Sequence, residues 1–322
     1  MAANVQTMMS VRETPWHGLG VVVDAPVSNA EAFKLSGLDW TTSLQEVYTA
    51  GMVQVNGSRA VVRSDNGVPL GIVSENYTPV QNQELFDFAR DLGQFDTELH
   101  IETAGALGQG ETVWALVKMG AMRLSMGNDV VDPYLLLVNG HCGNRRLSIY
   151  DTAVRVVCQN TLRMADNARG NGLSKGWDLK HTANIQDRMK EAQQALNKVA
   201  INWQATKEAI QRMAEIKADE STLDDIIFNV FGESAEEGKG ATIAANRVDD
   251  ILANWQSPTS KGLDTEGSLW TAINAVTEWI DHQSVVKNGK LTAQESRFMR
   301  QMLPTEATDK KTKVWDYALT LI

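Results

Sequence analysis

Residues 45–73 read QEVYTAGMVQVNGSRAVVRSDNGVPLGIV, and this stretch decides the class of fold. Three runs rich in valine and other strand formers, Gln45 to Val55, Arg59 to Arg63 and Leu70 to Val73, are separated by Asn56-Gly57 and Asn66-Gly67. Such dipeptides favour the tight turns of hairpins, so the spacing predicts an antiparallel β-meander. Just downstream, Thr78 to Leu92 carries Pro79 near its start and Leu85, Phe86, Ala89 and Leu92 at helical spacing, which predicts a helix packed on the sheet. A second hairpin is expected from Glu98 to Ala104 and Thr112 to Lys118, joined by the glycine-rich turn Gly105 to Gly110. Tyr134 to Asn139 and Arg146 to Tyr150 follow as strands around His141-Cys142-Gly143-Asn144, and Thr152 to Met164 reads as a buried helix.

Glycines interrupt the polar residues from Asn167 to Gly176, which predicts a loop. Beyond Thr182 the period changes. Ile185, Met189, Ala192, Leu196, Val199, Trp203, Thr206, Ile210 and Met213 alternate steps of four and three, the pattern of one long helix with a narrow apolar seam, about 43 Å at 1.5 Å per residue. Shorter helices are expected at Leu223 to Phe231, Ala241 to Trp255, Ser268 to His282, Thr292 to Met302 and Val314 to Leu321. The expected class is therefore α+β: an antiparallel meander sheet with packed helices over residues 1–182, and a mainly helical region with one long helix over 183–322.

The 322 residues are 43% hydrophobic and 22% charged, proportions of an ordinary folded chain rather than a disordered or fibrous one. The longest apolar runs, Val21 to Val23 and Tyr134 to Val138, are far too short to span a bilayer. Met1 to Ser10 lacks the basic start and apolar block of a secretory signal, so a cytoplasmic location without membrane contact is expected. Cys142 and Cys158 then read as free thiols. Thirty basic and forty acidic residues leave a net charge of −10, which disfavours nucleic acid if it is evenly spread. It is not. Between Gly140 and Thr182, Arg145, Arg146, Arg155, Arg163, Arg169, Lys175 and Lys180 outnumber Asp151, Asp166 and Asp178, a local excess of four positive charges.

Catalytic signatures are missing from the sequence. The five histidines show no metal-protease spacing, and there is no nucleophile elbow, phosphate-cradling lysine loop or dinucleotide fingerprint. Neither a cofactor nor a metal is expected, and the histidines read as structural. An enzyme using His17 or Cys158 is the minor alternative. Pro15 to Gly20 (PWHGLG) reads either as a tryptophan anchor or as a ligand-contacting loop. The basic island carries more mechanism. Arg145, Arg146 and Arg155 on strands, Arg163 on the following helix and Lys180 across the glycine loop form a candidate phosphate-binding groove. Tyr150 and Trp177 interleave with them as candidate stacking faces for single-stranded bases. The competing reading is a set of surface arginines paired to acids elsewhere.

Several motifs jointly resemble a known family. Pro15 to Gly20, Val61-Val62-Arg63-Ser64 with Gly71-Ile72-Val73, Tyr77 to Asn82, Tyr134 to Leu137, Val154 to Leu162, His181-Thr182 and Ala275 to His282 are similar to the phage/plasmid-like proteins grouped as domain-of-unknown-function family 932. That resemblance implies a phage, prophage or plasmid origin and a bacterial cytoplasm. A looser, architectural resemblance is to the Red-beta type single-strand annealing superfamily. It implies ATP-independent binding and annealing of single-stranded DNA in recombination or replication, and assembly into a homo-oligomer. The rival expectation is a non-catalytic interaction protein of a mobile element that engages a host defence factor through the long helical stripe, with Leu196 and Trp203 at its centre.

Overall fold

A computed structural model describes residues 5–12, 20–92, 98–155, 160–163, 177–195, 197–232, 239–284 and 306–322. In chain order its elements are β1 (Val5–Val11), β2 (Val21–Val23), α1 (Asn29–Leu35), β3 (Thr42–Tyr48), β4 (Gln54–Arg63), β5 (Pro69–Ser74), α2 (Asn82–Leu92), β6 (His100–Leu107) and β7 (Thr112–Lys118). There follow β8 (Leu124–Met126), β9 (Asp129–Gly140), β10 (Leu147–Arg155), β11 (Asn160–Arg163), β12 (Trp177–Leu179), α3 (Ile185–Ala195), α4 (Asn197–Glu215), α5 (Glu220–Phe231), α6 (Lys239–Trp255), α7 (Leu269–Glu278), a wide π-turn (Trp279–Gln283) and α8 (Glu306–Leu319). The class is α+β with mainly antiparallel sheets. Among the described residues, no helix is long and apolar enough to cross a membrane.

The chain forms two compact units, each assembled from separate segments. The first comprises Met1–Ala121, Tyr134–Asp151 and Lys175–Val199; the second comprises Met122–Pro133, Thr152–Ser174 and Ala200–Ile322. Segments 122–133 and 152–174, expected in a first domain ending at Thr182, thus belong to the second unit.

In the first unit, strands run in the order β10, β9, β7, β6, β1, β2, with β12 also on β10. The β1–β6, β6–β7, β7–β9 and β10–β12 pairs are antiparallel and the edge pair β1–β2 is parallel. A separate antiparallel sheet has the order β3, β4, β5. Asn66-Gly67 makes the expected turn between β4 and β5, but Asn56-Gly57 does not separate strands. The β3–β4 turn is Thr49 to Val53, closed by Thr49 N–H donating to Val53 O at 2.9 Å. Asn56 and Gly57 run on within β4, where the register shifts and Gly57 takes φ +76°. A left-handed glycine serves a bulge as readily as a turn.

Leu85, Phe86, Ala89 and Leu92 are buried as their spacing predicts, and Phe86 meets Phe33 of α1 edge to face at 4.9 Å. Helix α2, however, starts at Asn82 rather than Thr78. Thr78 N–H donates to His181 O, while the Gln81 amide accepts from Thr42 N and donates to Thr42 O at 2.8 and 3.1 Å. These partners tie Thr78 and Gln81 to distant segments, ahead of the helix. The Glu84 carboxylate accepts from Gln81 N, which marks the helix start.

The expected helix from Thr152 to Met164 is instead the end of β10 and all of β11, paired antiparallel from Thr152↔Arg163 to Arg155↔Asn160. A short apolar run has no period to separate a buried helix from a strand, and the β-branched Thr152, Val154 and Thr161 favour the strand. The positions of the helical stripe are shared between the two units. Helices α3 and α4 lie on either side of Leu196, which is outside the described residues. Ile185, Met189 and Ala192 are buried in the first unit, and Trp203, Thr206, Ile210 and Met213 in the second. The described apolar positions of the stripe are buried inside the chain's own units.

The second unit is built around α7, whose residues Leu269 to Thr277 are all buried. Ser268 and Thr271 form a capping box at its start, as Asp219 and Thr222 do for α5. The buried Asp129 carboxylate accepts from Thr265 Oγ1 at 2.6 Å and from the Trp270 indole at 3.1 Å. The Trp203 indole donates to Met122 O at 2.5 Å. At its end α7 widens into the π-turn, which turns Asp281 inward to meet Lys311 of α8 at 2.8 Å. The expected helix Thr292 to Met302 and the loop Asn167 to Gly176 lie outside the described residues.

Candidate nucleic-acid interface

The turn between β9 and β10 is held from beneath by a buried polar network in the first unit. His141 N–H donates to Glu111 O at 2.8 Å, and His141 Nε2 lies 2.8 Å from Asn82 Oδ1. The Asn82 amide nitrogen already donates to Leu38 O and Trp40 O, so its oxygen accepts and His141 Nε2 carries the proton. A second pair repeats the arrangement. His181 Nε2 meets Asn139 Oδ1 at 2.8 Å, and Asn139 Nδ2 donates to Val80 O. Tyr77 stacks on His181 with ring centroids 4.7 Å apart, and its hydroxyl donates to Gly140 O at 2.9 Å. Trp40 packs against His141 on one side and under the Arg63 guanidinium, 4.0 Å away, on the other. Arg63 is itself buried and donates to Gln6, Gln109 O and Asp65.

Both imidazoles are held neutral. Burial, then the repulsion a second imidazolium would meet from His181 and the Arg63 guanidinium, push His141 down to about 3; burial pushes His181 down to about 4. The Tyr77 phenol is pushed up by burial and by the neighbouring Cys142. Neutral histidines tied to asparagines are scaffold chemistry, in accord with the structural role expected for them. No group of three His, Cys, Asp or Glu side chains that could hold a metal occurs among the described residues.

Above this scaffold stand the cations. Arg145 is half-buried, and Arg146 and Lys180 are exposed. In the β10–β12 ladder Leu147 pairs with Leu179, so Arg146 and Lys180, one residue further out on each strand, are cross-strand neighbours at its end. No ion pair or hydrogen bond joins the side chains of Arg145, Arg146 or Lys180 to a carboxylate among the described residues. Asp178, the acid nearest in sequence to Lys180, is engaged instead by Ser148 and Tyr150.

The remaining candidates fare differently. Tyr150 is not a stacking face: it is 5% exposed, and its hydroxyl donates to Asp178 Oδ1 at 3.3 Å. From Leu147 to Tyr150 both faces of β10 are covered, so alternation along the strand gives the ring no wet side. Arg155 and Arg163 are placed by their backbones alone, on strand segments of the second unit, with Arg163 on a strand rather than a helix. Trp177 is placed by its backbone opposite Ile149. Arg169, Lys175, His17, Cys158 and most of Pro15 to Gly20 lie outside the described residues. Sequence reasoning did not foresee Trp40, Arg63, Tyr77, Asn82 and Asn139 as one network. Its only signal is that the motifs around Arg63, Tyr77 to Asn82 and His181, read separately along the chain, meet here.

The three-stranded sheet closes on the turn so tightly that Gly71 of β5 has no room for a side chain. A Cβ there would sit 2.6 Å from Cys142 Cα and 2.8 Å from Cys142 O. Gly71→Ala is expected to cost about 2 kcal/mol of stability, because backbone rather than a flexible side chain must move. Chemical denaturation measures this; a loss under about 0.5 kcal/mol, the usual range of surface substitutions, would show that the contact yields.

No curated protein and no solved structure matches the chain. A family model described as a domain of unknown function, DUF932, matches residues 69–303, a span that contains Tyr77, Asn82, Asn139, His141, the three cations and His181. The chain belongs to the DUF932 family.

Proposed function

We propose that this protein binds single-stranded nucleic acid, without ATP, through Arg145, Arg146 and Lys180. The observation that carries the reading is the pairing of Arg146 with Lys180 at a ladder end, with no carboxylate on either among the described residues. Like charges directly across a sheet are destabilising, and an anionic ligand relieves them. The neutral, buried His141 and His181 brace both chain segments that carry these cations. The resemblance to phage/plasmid-like proteins and to the Red-beta type annealing superfamily supports a role in recombination or replication of a mobile element, with annealing in a homo-oligomer. The rival reading, engagement of a host factor through the helical stripe, loses one of its anchors, because Trp203 is 2% exposed and bonded within its own unit.

Three phosphate contacts on a single strand give a slope of log affinity against log salt of about −2, or roughly 20-fold weaker binding from 50 to 200 mM salt. Fluorescence anisotropy with an oligothymidylate is expected to show this for the wild type. The Arg146→Ala/Lys180→Ala variant is expected to have its slope reduced by about 1.4. A salt-independent affinity, or a variant indistinguishable from wild type, would remove these residues from the function.

A further inference from the structure

A second cationic feature lies wholly in the second unit. The Arg247 guanidinium of α6 rests 4.4 Å from the centre of the Phe231 ring and 5.5 Å from that of Trp279, and the two rings meet edge to face at 5.5 Å. Lys310 of α8 approaches the same Phe231 ring at 5.5 Å, with Glu306 as its partner at 2.8 Å. Among the described residues, Arg247 has no carboxylate partner. Its Nε is buried without a hydrogen bond among the described residues, and burial lowers its pKa.

A carboxylate is within reach of this helix face and is used otherwise. Asp250 lies one turn beyond Arg247, the spacing at which helix ion pairs form, yet it accepts from the Trp279 indole at 3.2 Å. The guanidinium is thus oriented by aromatic rings, with no carboxylate on it among the described residues. An arginine needed only for packing would be cheaper as a leucine, or would be paired. One turn before Phe231 on α5 is Phe228, 54% exposed, and one turn before Arg247 on α6 is Ile243, 61% exposed. A rigid planar cation on an aromatic bed beside an exposed ring matches what a single strand offers: a phosphate for the fork and a base face for the ring.

We propose that Arg247, seated on Phe231 and Trp279, is a second contact for single-stranded nucleic acid, taking a backbone phosphate while Phe228 takes a base. The choice of ligand rests on the function proposed above; the site does not depend on Arg145, Arg146 or Lys180.

The test uses the full chain labelled with 5-fluorotryptophan, with the Trp279 fluorine resonance assigned by Trp279→Phe, and an oligothymidylate of about 20 nucleotides, long enough to cover more than one contact surface. Titration is expected to shift the Trp279 resonance along the binding isotherm. Arg247→Met keeps the apolar stem and removes the charge; it is expected to abolish that shift, weaken binding several-fold and reduce the salt slope by about 0.7, one phosphate's share. Arg247→Lys is expected to recover the charge but not the fork. If Trp279 stays silent while the oligonucleotide binds through Arg146 and Lys180, the proposal is overturned and the first interface stands. If Trp279 responds but Arg146→Ala/Lys180→Ala has no effect, the first interface fails and the proposal stands. If nothing binds, both fail. A polyglutamate peptide that shifts Trp279 as strongly as the oligonucleotide would overturn nucleic acid in favour of a carboxylate-bearing partner.

Discussion

Acidification from pH 6.5 towards 4.5 is expected to cost the protein about 5 kcal/mol of stability, enough to unfold a typical domain. In the unfolded chain histidine takes up a proton near 6.5. In the folded chain His141 and His181 stay neutral down to about 3 and about 4. Between these values the unfolded state binds more protons than the native one, so stability falls as pH falls, by about 1.4 kcal/mol per pH unit for each histidine. The contribution is fully present above 6.5 and stops changing below each folded value. Each native partner explains why protonation is refused. The Nε2–H of each ring is already committed to an asparagine oxygen, and a second proton on His141 would place a charge beside Arg63 and on the Nδ1 that is buried without a partner. Urea midpoints followed by tryptophan fluorescence between pH 7 and 5, where ordinary carboxylates remain ionised, measure the slope. His141→Gln is expected to weaken the fold at neutral pH and to remove about half the slope. A midpoint independent of pH over that range would show that the histidines are wetter than the network implies.

Lys311→Met is the second large effect, with an expected loss of about 3 to 5 kcal/mol. The side chains of Lys311 and Asp281 are only 3% and 1% exposed and meet at 2.8 Å. Deleting the ammonium removes this ion-pair partner from a buried carboxylate, and losing one member of a buried pair costs more than the pair was worth. Replacing both, as Asp281→Leu/Lys311→Met, is therefore expected to recover most of the loss, giving a coupling energy of several kcal/mol in a double-mutant cycle. Thermal or urea unfolding of the three variants decides it. A single variant within 1 kcal/mol of wild type would mean that water reaches the pair.

Legibility in the sequence followed the strength of each local signal. The buried face of α2 could be read because Leu85, Phe86, Ala89 and Leu92 recur with the helical period. The strands β7 and β9 could be read because their apolar runs end in glycine and polar turns. The start of α2 could not, because Thr78 and Gln81 are bonded to partners on distant segments. Nor could the strand at Asn160–Arg163, where a short apolar run carries no period. The cations Arg145, Arg146 and Lys180 were visible as a charge excess, but the clustering of Arg247 with Phe231 and Trp279 was not, since helical spacing links none of the three.

By itself, then, the sequence determined the α+β class, the apolar faces that had to be buried and the segment where positive charge collects. These depend on period and composition, which act over a few residues. Only the tertiary structure decided that Tyr150 is enclosed, that the helical stripe is split between two units, and that His141 and His181 are neutral supports fixed by Asn82 and Asn139. Each of these turns on which distant side chain arrives to desolvate or bond a group, and that is a property of chain closure rather than of any local pattern.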